Sequence, residues 1–173
     1  MFIHEMTETE CREALRAAGM GRIACASNNQ PYIVPITFAI DQEFIYSFAT
    51  FGQKIEWMRK NPKVCLETDE HKGHQQWQSV VVFGRYEELA DLPDYQPARL
   101  HAYSLISERV MWWEPAAISA AHRDTPHSVI PILYRIRIER MSGHRATPDP
   151  SDTITELAHR RTGWWSHVFH YRP

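Results

Sequence analysis

The alternation of apolar and polar residues is clearest between Tyr32 and Ile40. Every second residue in this run is apolar and large, which predicts a strand with one buried face. Pro35 lies inside the run and has no N–H to give to a ladder. The strand is therefore expected at a sheet edge, at a bulge or beside a ligand-facing gap. A tight turn at 41–43 leads into a second apolar strand, 44–48, so the two strands form a predicted hairpin.

The residues before this hairpin switch to a helical period. Thr7 and Glu10 have the spacing of a capping box, in which each side chain accepts from the backbone N–H of the other residue. The predicted helix runs to Ala18, with Gly19 as its stop. It buries the face that carries Cys11, Ala14, Leu15 and Ala18, and a strand, 20–26, follows it.

The rest of the chain continues this mixture with more strands than helices. The predicted elements are a short helix at 54–60, strands at 63–68, 77–89 and 130–141, a polar connection at 69–75, and a helical stretch at 97–118 that Pro115 interrupts. Six short strands joined mainly by turns predict a mainly β fold, an antiparallel barrel with helices outside it. We predict one domain over residues 1–145, with residues 146–173 as a tail that packs on the barrel or on a partner.

Composition excludes several classes of function. The chain has 173 residues and a formal net charge of -2, and its basic residues are scattered, so nucleic acid is not an expected partner. Its three cysteines are far apart, a pattern typical of neither a disulfide framework nor a cysteine zinc site. The first residues lack the features of a signal peptide, and no apolar run is long enough for a bilayer. We therefore expect a cytoplasmic protein without a membrane partner.

Two stretches carry candidate binding chemistry. The loop 50–54 combines the hydroxyl of Thr50, the small Gly52 and the cation of Lys54 just before a helix, which suits one phosphate group. An ordinary solvated turn explains the same residues. Trp77 and Ser79 share one strand face, which suits a ligand with a ring and a polar tail. Core packing of Trp77 is the alternative.

The sequence resembles the pyridoxamine 5'-phosphate oxidase-like family, in the branch of flavin-nucleotide-binding and nitroimidazole-resistance proteins. No single segment carries this resemblance; the order and spacing of several segments do. They are Gly21-Arg22-Ile23-Ala24, residues 31–38, Ile45-Tyr46 through Gly52-Gln53-Lys54, residues 61–65 and residues 77–84.

The resemblance implies an FMN-binding split barrel with two FMN sites at a homodimer interface. Residues 34–37 then run beside the flavin ring, residues 49–54 hold the phosphate, and the neighbouring strand and the segment after the last strand complete the site. The implied cofactor-binding residues are Val34, Pro35, Ile36, Thr37, Ala49, Thr50, Gly52, Gln53, Lys54, Trp77, Ser79 and Arg145. No residue is assigned a catalytic role and no metal is expected.

The sequence also departs from the true oxidases of this family. Tyr32 stands where they carry a basic residue, and the Arg and His of their substrate-phosphate segment have no clear match. We therefore expect an FMN-dependent oxidoreductase acting on a small flat or nitro-bearing molecule other than vitamin B6. The alternatives are a non-catalytic FMN-binding or storage protein and a haem-binding split-barrel relative.

Two histidine pairs and two tryptophan pairs keep further alternatives open. His71 with His74, and His167 with His170, have a spacing of three residues that could ligate a metal or haem if helical. Neither pair has a well-placed carboxylate or cysteine, which favours surface histidines. The pairs at 112–113 and 164–165 are expected to pack outer helices on the barrel, with flavin covering or dimer contact as the alternatives.

Overall fold

The computed structural model describes residues 1–73, 75–109 and 131–149, and within them one antiparallel sheet dominates. The strands are β1 (Phe2–Glu5), β2 (Met20–Ser27), β3 (Gln30–Thr37), β4 (Ala39–Asp41), β5 (Phe44–Ala49), β6 (Lys63–Gly73), β7 (Gln76–Glu88) and β8 (Ile132–Thr147). The helices are α1 (Glu8–Ala17), α2 (Gln53–Lys60) and α3 (Gln96–Ser107).

The eight strands form an open split barrel. Their order is β3-β2-β6-β7-β8-β5-β4, and β1 adds to β8 outside this path. β3 ends the path on one side, so one edge of β3 has no neighbouring strand within the described part of the chain. This confirms the expectation that the strand with Pro35 is an edge strand, because its missing N–H then breaks no ladder.

A two-residue turn at Asn28-Asn29 closes the β2–β3 hairpin. Both residues have positive φ, 49° and 63°, as a type I′ turn requires. Asparagine tolerates this region better than most residues because its short polar side chain can bond locally. Together with the pairs Ser27–Gln30 and Ile23–Val34, the turn sets the register that brings alternate residues of β3 to the inner face.

The interior is filled mainly by side chains of β2 and β5–β8 and by the inner faces of α1 and α2. The largest fully buried side chains are Tyr134, Phe38, Leu15, Ile23, Ile45, Ile55, Met58, Leu66, Leu89, Ile136, Val80 and Val82. A smaller cluster under α3 contains Tyr46, Leu89, Ala102 and Ile106. His101 of α3 lies 2.9 Å from the Asp41 carboxylate, which fixes α3 to the β4–β5 hairpin.

The residues expected to form a polar connection at 69–75 are mostly strand, so that prediction was wrong. β6 continues to Gly73 and β7 begins at Gln76, with a register shift between His71 and Gly73. The exposed end of this hairpin is polar on both faces. A sequence this polar therefore looks like a loop, although its backbone groups are paired across the ladder.

The two ends of the described chain also differ from the prediction. β1 was missed because its four residues are all exposed and show no buried face. β8 runs to Thr147 rather than to Met141, and β1 pairs with its last four residues. The predicted strand 32–40 is two strands, β3 and β4, which separate at Phe38, so the described residues form eight strands instead of the predicted six. The part of the predicted helical stretch beyond residue 109 and the tail beyond residue 149 lie outside the described residues.

The capping box of α1 is confirmed. The Glu10 N–H donates to Thr7 Oγ1 at 3.3 Å, and the Thr7 N–H donates to Glu10 Oε2 at 2.8 Å. We expect Thr7→Ala to lower the free energy of unfolding by about 1 kcal/mol, because one helical N–H loses its acceptor. Urea unfolding measures this loss. Thr9→Ala, on the exposed side of the same helix, is the control; an equal loss there would contradict the capping role.

None of the helices in the described part of the chain is long and apolar enough to span a bilayer.

Candidate functional site

A groove lies where the unpaired edge of β3 faces the end of β5 and the start of α2. Its volume is about 400 Å³ and it is open to solvent on one side. Its lining residues are Tyr32, Val34, Pro35, Ile36, Thr37, Phe48, Ala49, Thr50, Phe51, Gly52, Gln53 and Lys54. Nine of the twelve predicted cofactor-binding residues are thus brought together here: 34–37, 49–50 and 52–54.

The edge strand gives this groove backbone groups to bind with. β3 pairs with β2 on one side only, so carbonyl and N–H groups along its other side have no strand to bond. Pro35 removes one N–H, while the neighbouring carbonyls remain available. A flat ring with polar atoms on one edge fits such a strand, because the edge supplies hydrogen bonds and the apolar side chains supply contact area.

The start of α2 supplies free N–H donors at the other end of the groove. Gly52 is the N-cap and offers no side chain, so no side-chain cap bond is formed. The first helical bond runs from the Glu56 N–H to the Gly52 carbonyl at 3.0 Å, which leaves the N–H groups of 53–55 without helical partners. Such a terminus carries a partial positive charge and favours an anion.

Lys54 adds a cation that has no ion-pair partner among the described residues. Its side chain is half-buried, and its Nζ lies 5.9 Å from the centre of the Tyr134 ring. No carboxylate of the described residues lies within ion-pair distance of it. Burial lowers the pKa of the Lys54 ammonium, and the nearby Cys25 offsets this only partly. A largely dehydrated cation without a counter-ion is costly in the free protein and ready for an anionic ligand.

These features fit a phosphate monoester joined to a flat ring. The other charges of α2 do not oppose it, because Glu56 is paired with Lys60 at 2.6 Å on the exposed side. The Thr50 hydroxyl and the Gln53 amide stand beside Lys54 on the groove wall and can donate further hydrogen bonds. The phosphate-binding interpretation of this loop therefore agrees with the geometry better than a plain solvated turn.

The remaining three predicted residues do not lie in this groove. Trp77 is half-buried and lines a second groove of about 450 Å³, between α1, the β6–β7 hairpin and the end of β8. Arg145 lines the same second groove. Ser79 sits on β7 between Asp69 of β6 and His144 of β8, directly opposite both. Within one chain, the predicted cofactor-binding residues therefore lie in two separate places.

Arg145 is held on the α1 side of the sheet. Its Nε donates to Gln78 Oε1 and its Nη1 to Glu10 Oε1, each at 3.2 Å. The Thr7 backbone and hydroxyl, and then Arg145, lower the pKa of the Glu10 carboxyl. Glu10 therefore serves the helix cap and orients Arg145 at the same time.

His144 is a candidate that does not stand among the predicted cofactor-binding residues. Directly opposed residues of antiparallel strands point to the same face, so His144 and Ser79 share the outer face of the sheet, while Arg145 points to the other face. The register of β7 and β8 shows that Ser79 and His144 share a face. The sequence would have shown this only if the predicted last strand had continued past Gly143.

The described histidines do not form a metal site. Among the described residues no group of three His, Cys, Asp or Glu side chains is arranged to hold a metal ion. His71 lies 3.2 Å from Asp69 on an exposed strand rather than on a helix. His74, His167, His170 and both tryptophan pairs lie outside the described residues.

Comparison with known proteins agrees with this fold. A family model described as pyridoxamine 5'-phosphate oxidase matches residues 7–145. An uncharacterized protein of Rhizobium meliloti is 39% identical over 146 residues, which cover 84% of this chain and 97% of that protein.

Solved structures give the same result. An FAD-binding protein of Mesorhizobium loti is 43% identical with a TM-score of 0.71, covering 85% of this chain and all of the other (100%). A protein of Bacteroides thetaiotaomicron, assigned to 5-nitroimidazole antibiotic resistance, shares the fold at 16% identity and a TM-score of 0.60, covering 86% of this chain and 93% of its own. The family match covers the groove, β2 to β7 and β8 as far as Arg145, and the chain belongs to the pyridoxamine 5'-phosphate oxidase family.

Proposed function

We propose that the chain is an FMN-dependent oxidoreductase that holds the flavin phosphate at the start of α2 and the flavin ring along β3. The observation that carries this proposal is the unneutralised Lys54 ammonium at an uncapped helix start, in a groove with an apolar wall. The Mesorhizobium loti relative is named for a flavin, which supports a flavin here as well. FMN and FAD share the half that this groove would hold.

The residues of the chain would bind and orient the cofactor, and the flavin would supply the electron transfer. Lys54, Thr50 and Gln53 would hold the phosphate. Residues 34–37 would offer backbone groups to the polar ring edge, and the apolar side chains of the groove would exclude water from one ring face. This division of labour agrees with the lack of an assigned acid–base pair among the groove residues.

A homodimer is the second part of the proposal. Ile33, Ala24, Cys65 and Phe83 lie opposite one another on adjacent strands and form an apolar row across the outer face. Ile33 is 60% exposed and Phe83 39% exposed. Exposed apolar residues that adjoin one another in this way mark an interaction surface, unlike isolated ones. Arg140 covers the Phe83 ring, while Glu67 and Asp69 flank the row and pair with Arg22 of the same chain. An apolar row on one face suits a second copy related by two-fold symmetry.

The second copy would also complete the site. Ser79 and His144 lie on this same outer face, so a partner bound there could bring them toward the open side of the first groove. We propose that these residues contact the flavin or the substrate of the partner subunit. The expected substrate remains a small flat or nitro-bearing molecule.

A charge placed in the apolar row should dissociate the dimer. We expect Phe83→Glu to give a monomer in light scattering, because the change removes the largest apolar side chain of the row and would bury a carboxylate and Arg140 at the interface. Leu100→Glu is the matched control, since Leu100 is 70% exposed on α3, away from the row. A dimer that survives Phe83→Glu but not Leu100→Glu would place the interface elsewhere.

The absorbance spectrum of the purified protein, before and after FMN addition and desalting, tests the cofactor. Retained flavin bands that shift from those of free FMN are the expected result. Turnover of a reduced nicotinamide with a nitro compound would then support an enzyme, while bound flavin without turnover of any electron acceptor would favour a storage protein. A colourless protein that does not retain FMN contradicts the proposal.

Flavin affinity should fall as the pH rises. Burial lowers the pKa of Lys54 in the free protein, and a bound phosphate would raise it again because the two charges attract. Between these two pKa values binding must take up a proton, so the dissociation constant increases with pH. Titration from about pH 7 to about pH 10 measures this. Lys54→Arg should remove the dependence, since guanidinium stays charged; a dependence that persists would point to another group.

A further inference from the structure

Three cations lie side by side across the outer face of the sheet. Lys63 of β6 lies directly opposite Arg85 of β7, which lies directly opposite Arg137 of β8. Directly opposed residues of antiparallel strands share a face, and their Cβ atoms are about 5 Å apart. Val64 and Ile136, their neighbours along β6 and β8, are buried, so the three cations point outward. We call Lys63, Arg85 and Arg137 the cationic row.

A bulge in β8 brings a fourth cation to the same face. In the β7–β8 ladder Arg140 lies opposite Phe83 and the register then shifts, so Glu139 is an extra residue. Without this bulge Arg137 and Arg140, three residues apart, would point to opposite faces. With it both point outward, and the Arg140 guanidinium carbon lies 4.4 Å from the centre of the Phe83 ring. The strand pairing therefore gathers cations that a regular alternation would separate.

The neighbouring carboxylates leave most of this charge uncompensated. Arg85 of the cationic row forms an ion pair with Glu139 at 3.4 Å. The other two members of the row, and Arg140, form none with any carboxylate of the described residues. Glu87, on the same face of β7, is already paired with Arg135 at 2.7 Å. Because the formal net charge of the whole chain is -2, the excess of positive charge here is local.

The repulsion within the cationic row indicates what it would bind. Like charges on directly opposed residues destabilise a ladder. A bound anion would remove this cost and accept charge-assisted hydrogen bonds from two guanidinium groups and one ammonium. The row extends over two strand spacings, about 10 Å, so a single carboxylate or a chloride ion would contact only part of it. Its charge and length match a small anion that carries several negative charges.

We propose that the cationic row is a binding site for an oxyanion with three or more negative charges, such as a triphosphate group or a tricarboxylate. Each member of the row would then face one negative charge, and Arg140 would add to the attraction from the same face. No residue of the row lines the first groove, so this site goes beyond the proposed function and depends on neither the flavin nor the dimer.

Tripolyphosphate, citrate and acetate test the proposal on the intact protein saturated with FMN, whose phosphate keeps these anions away from Lys54. We expect tripolyphosphate and citrate to bind in calorimetric titrations and to raise the melting temperature, because a ligand of the folded state stabilises it. Acetate at equal ionic strength should do neither; an equal effect of acetate would reduce the result to screening and overturn the proposal. Tighter binding of tripolyphosphate identifies polyphosphates as the ligand class, and tighter binding of citrate identifies polycarboxylates.

A matched pair of lysines on β6 separates the cationic row from general charge effects. Lys63→Gln should weaken anion binding about fivefold, the size expected of one exposed charge contact. Lys72→Gln makes the same charge change at the other end of the strand, where Lys72 is 3.3 Å from Glu70. That end is about 30 Å away, well beyond the screening length, so binding should be unchanged. Equal losses in the two variants would overturn the proposal.

The double variant Lys63→Gln/Arg137→Gln gives the second test. It should abolish binding and leave the urea midpoint unchanged or higher, because the change removes like charges from one ladder. If neither multivalent anion binds, or both bind the double variant as tightly as the unchanged protein, the row is not an anion site and the flavin proposal is unaffected. If FMN is not retained, the proposed function fails, and the same titrations of Lys54→Met protein still decide whether the row binds anions.

Discussion

Replacing Lys54 by methionine should weaken flavin binding by about 10- to 100-fold and leave the protein at least as stable as before. The affinity falls because a charge-assisted bond to phosphate is lost. Stability does not fall, because the ammonium is half-buried above Tyr134 without a carboxylate partner among the described residues. Removing its dehydration cost should raise the free energy of unfolding of the flavin-free protein by about 1 kcal/mol.

Two measurements check this result. Fluorescence titration gives the flavin dissociation constant, and urea unfolding without flavin gives the stability. Lys60→Met is the control on the same helix, since Lys60 is exposed and paired with Glu56. If Lys54→Met loses stability and affinity together, Lys54 is a structural residue and the flavin effect is indirect. A gain in stability with a loss in affinity is the signature of a binding residue.

Gly84→Ala should cost more stability than alanine at any other described glycine, because the added Cβ would meet the closest atoms. A Cβ at Gly84 would lie 2.5 Å from the Arg137 carbonyl oxygen and 2.6 Å from Ile136 Cγ2. Gly84 also follows the register shift of the β7–β8 ladder, so the backbone there cannot move without changing the pairing. We expect the free energy of unfolding to fall by about 3 kcal/mol.

Gly19→Ala is the matched control for this variant. A Cβ at Gly19 would meet no atom within 4 Å, and no described glycine has positive φ. The control should therefore leave the stability unchanged or raise it slightly, because alanine restricts the unfolded chain. Urea midpoints at equal slope measure both effects. A Gly84→Ala protein as stable as the control would show that the two strands can separate locally at no cost.

These two variants probe different requirements of one sheet. Gly84 allows β7 and β8 to come close enough to form the long central ladder. This ladder joins the strands on the β6 side of the sheet to those on the β5 side. Lys54 lowers the free energy of unfolding, because its ammonium is dehydrated beside the open edge of the sheet. The fold is therefore stabilised at its centre and carries an electrostatic cost at its edge, which is where a ligand would relieve it.

The sequence alone determined the local elements that depend on neighbouring residues. The capping box of Thr7 and Glu10 and the loop before α2 are short-range patterns that the structure confirms. The predicted strand 32–40 is two strands, β3 and β4, which separate at Phe38. Nine of the twelve predicted cofactor residues lie in one groove for the same reason, since 34–37 and 49–54 flank a single hairpin. The family resemblance rested on these same segments.

The tertiary structure decided everything that depends on register between distant strands. It extended β8 to Thr147 and turned a polar stretch into the end of β6, because backbone pairing there needs no apolar face. In the structure Arg145 contacts Glu10, and His144 lies opposite Ser79. A shift of one residue along a strand reverses the face of every side chain, and only the paired strands fix that choice.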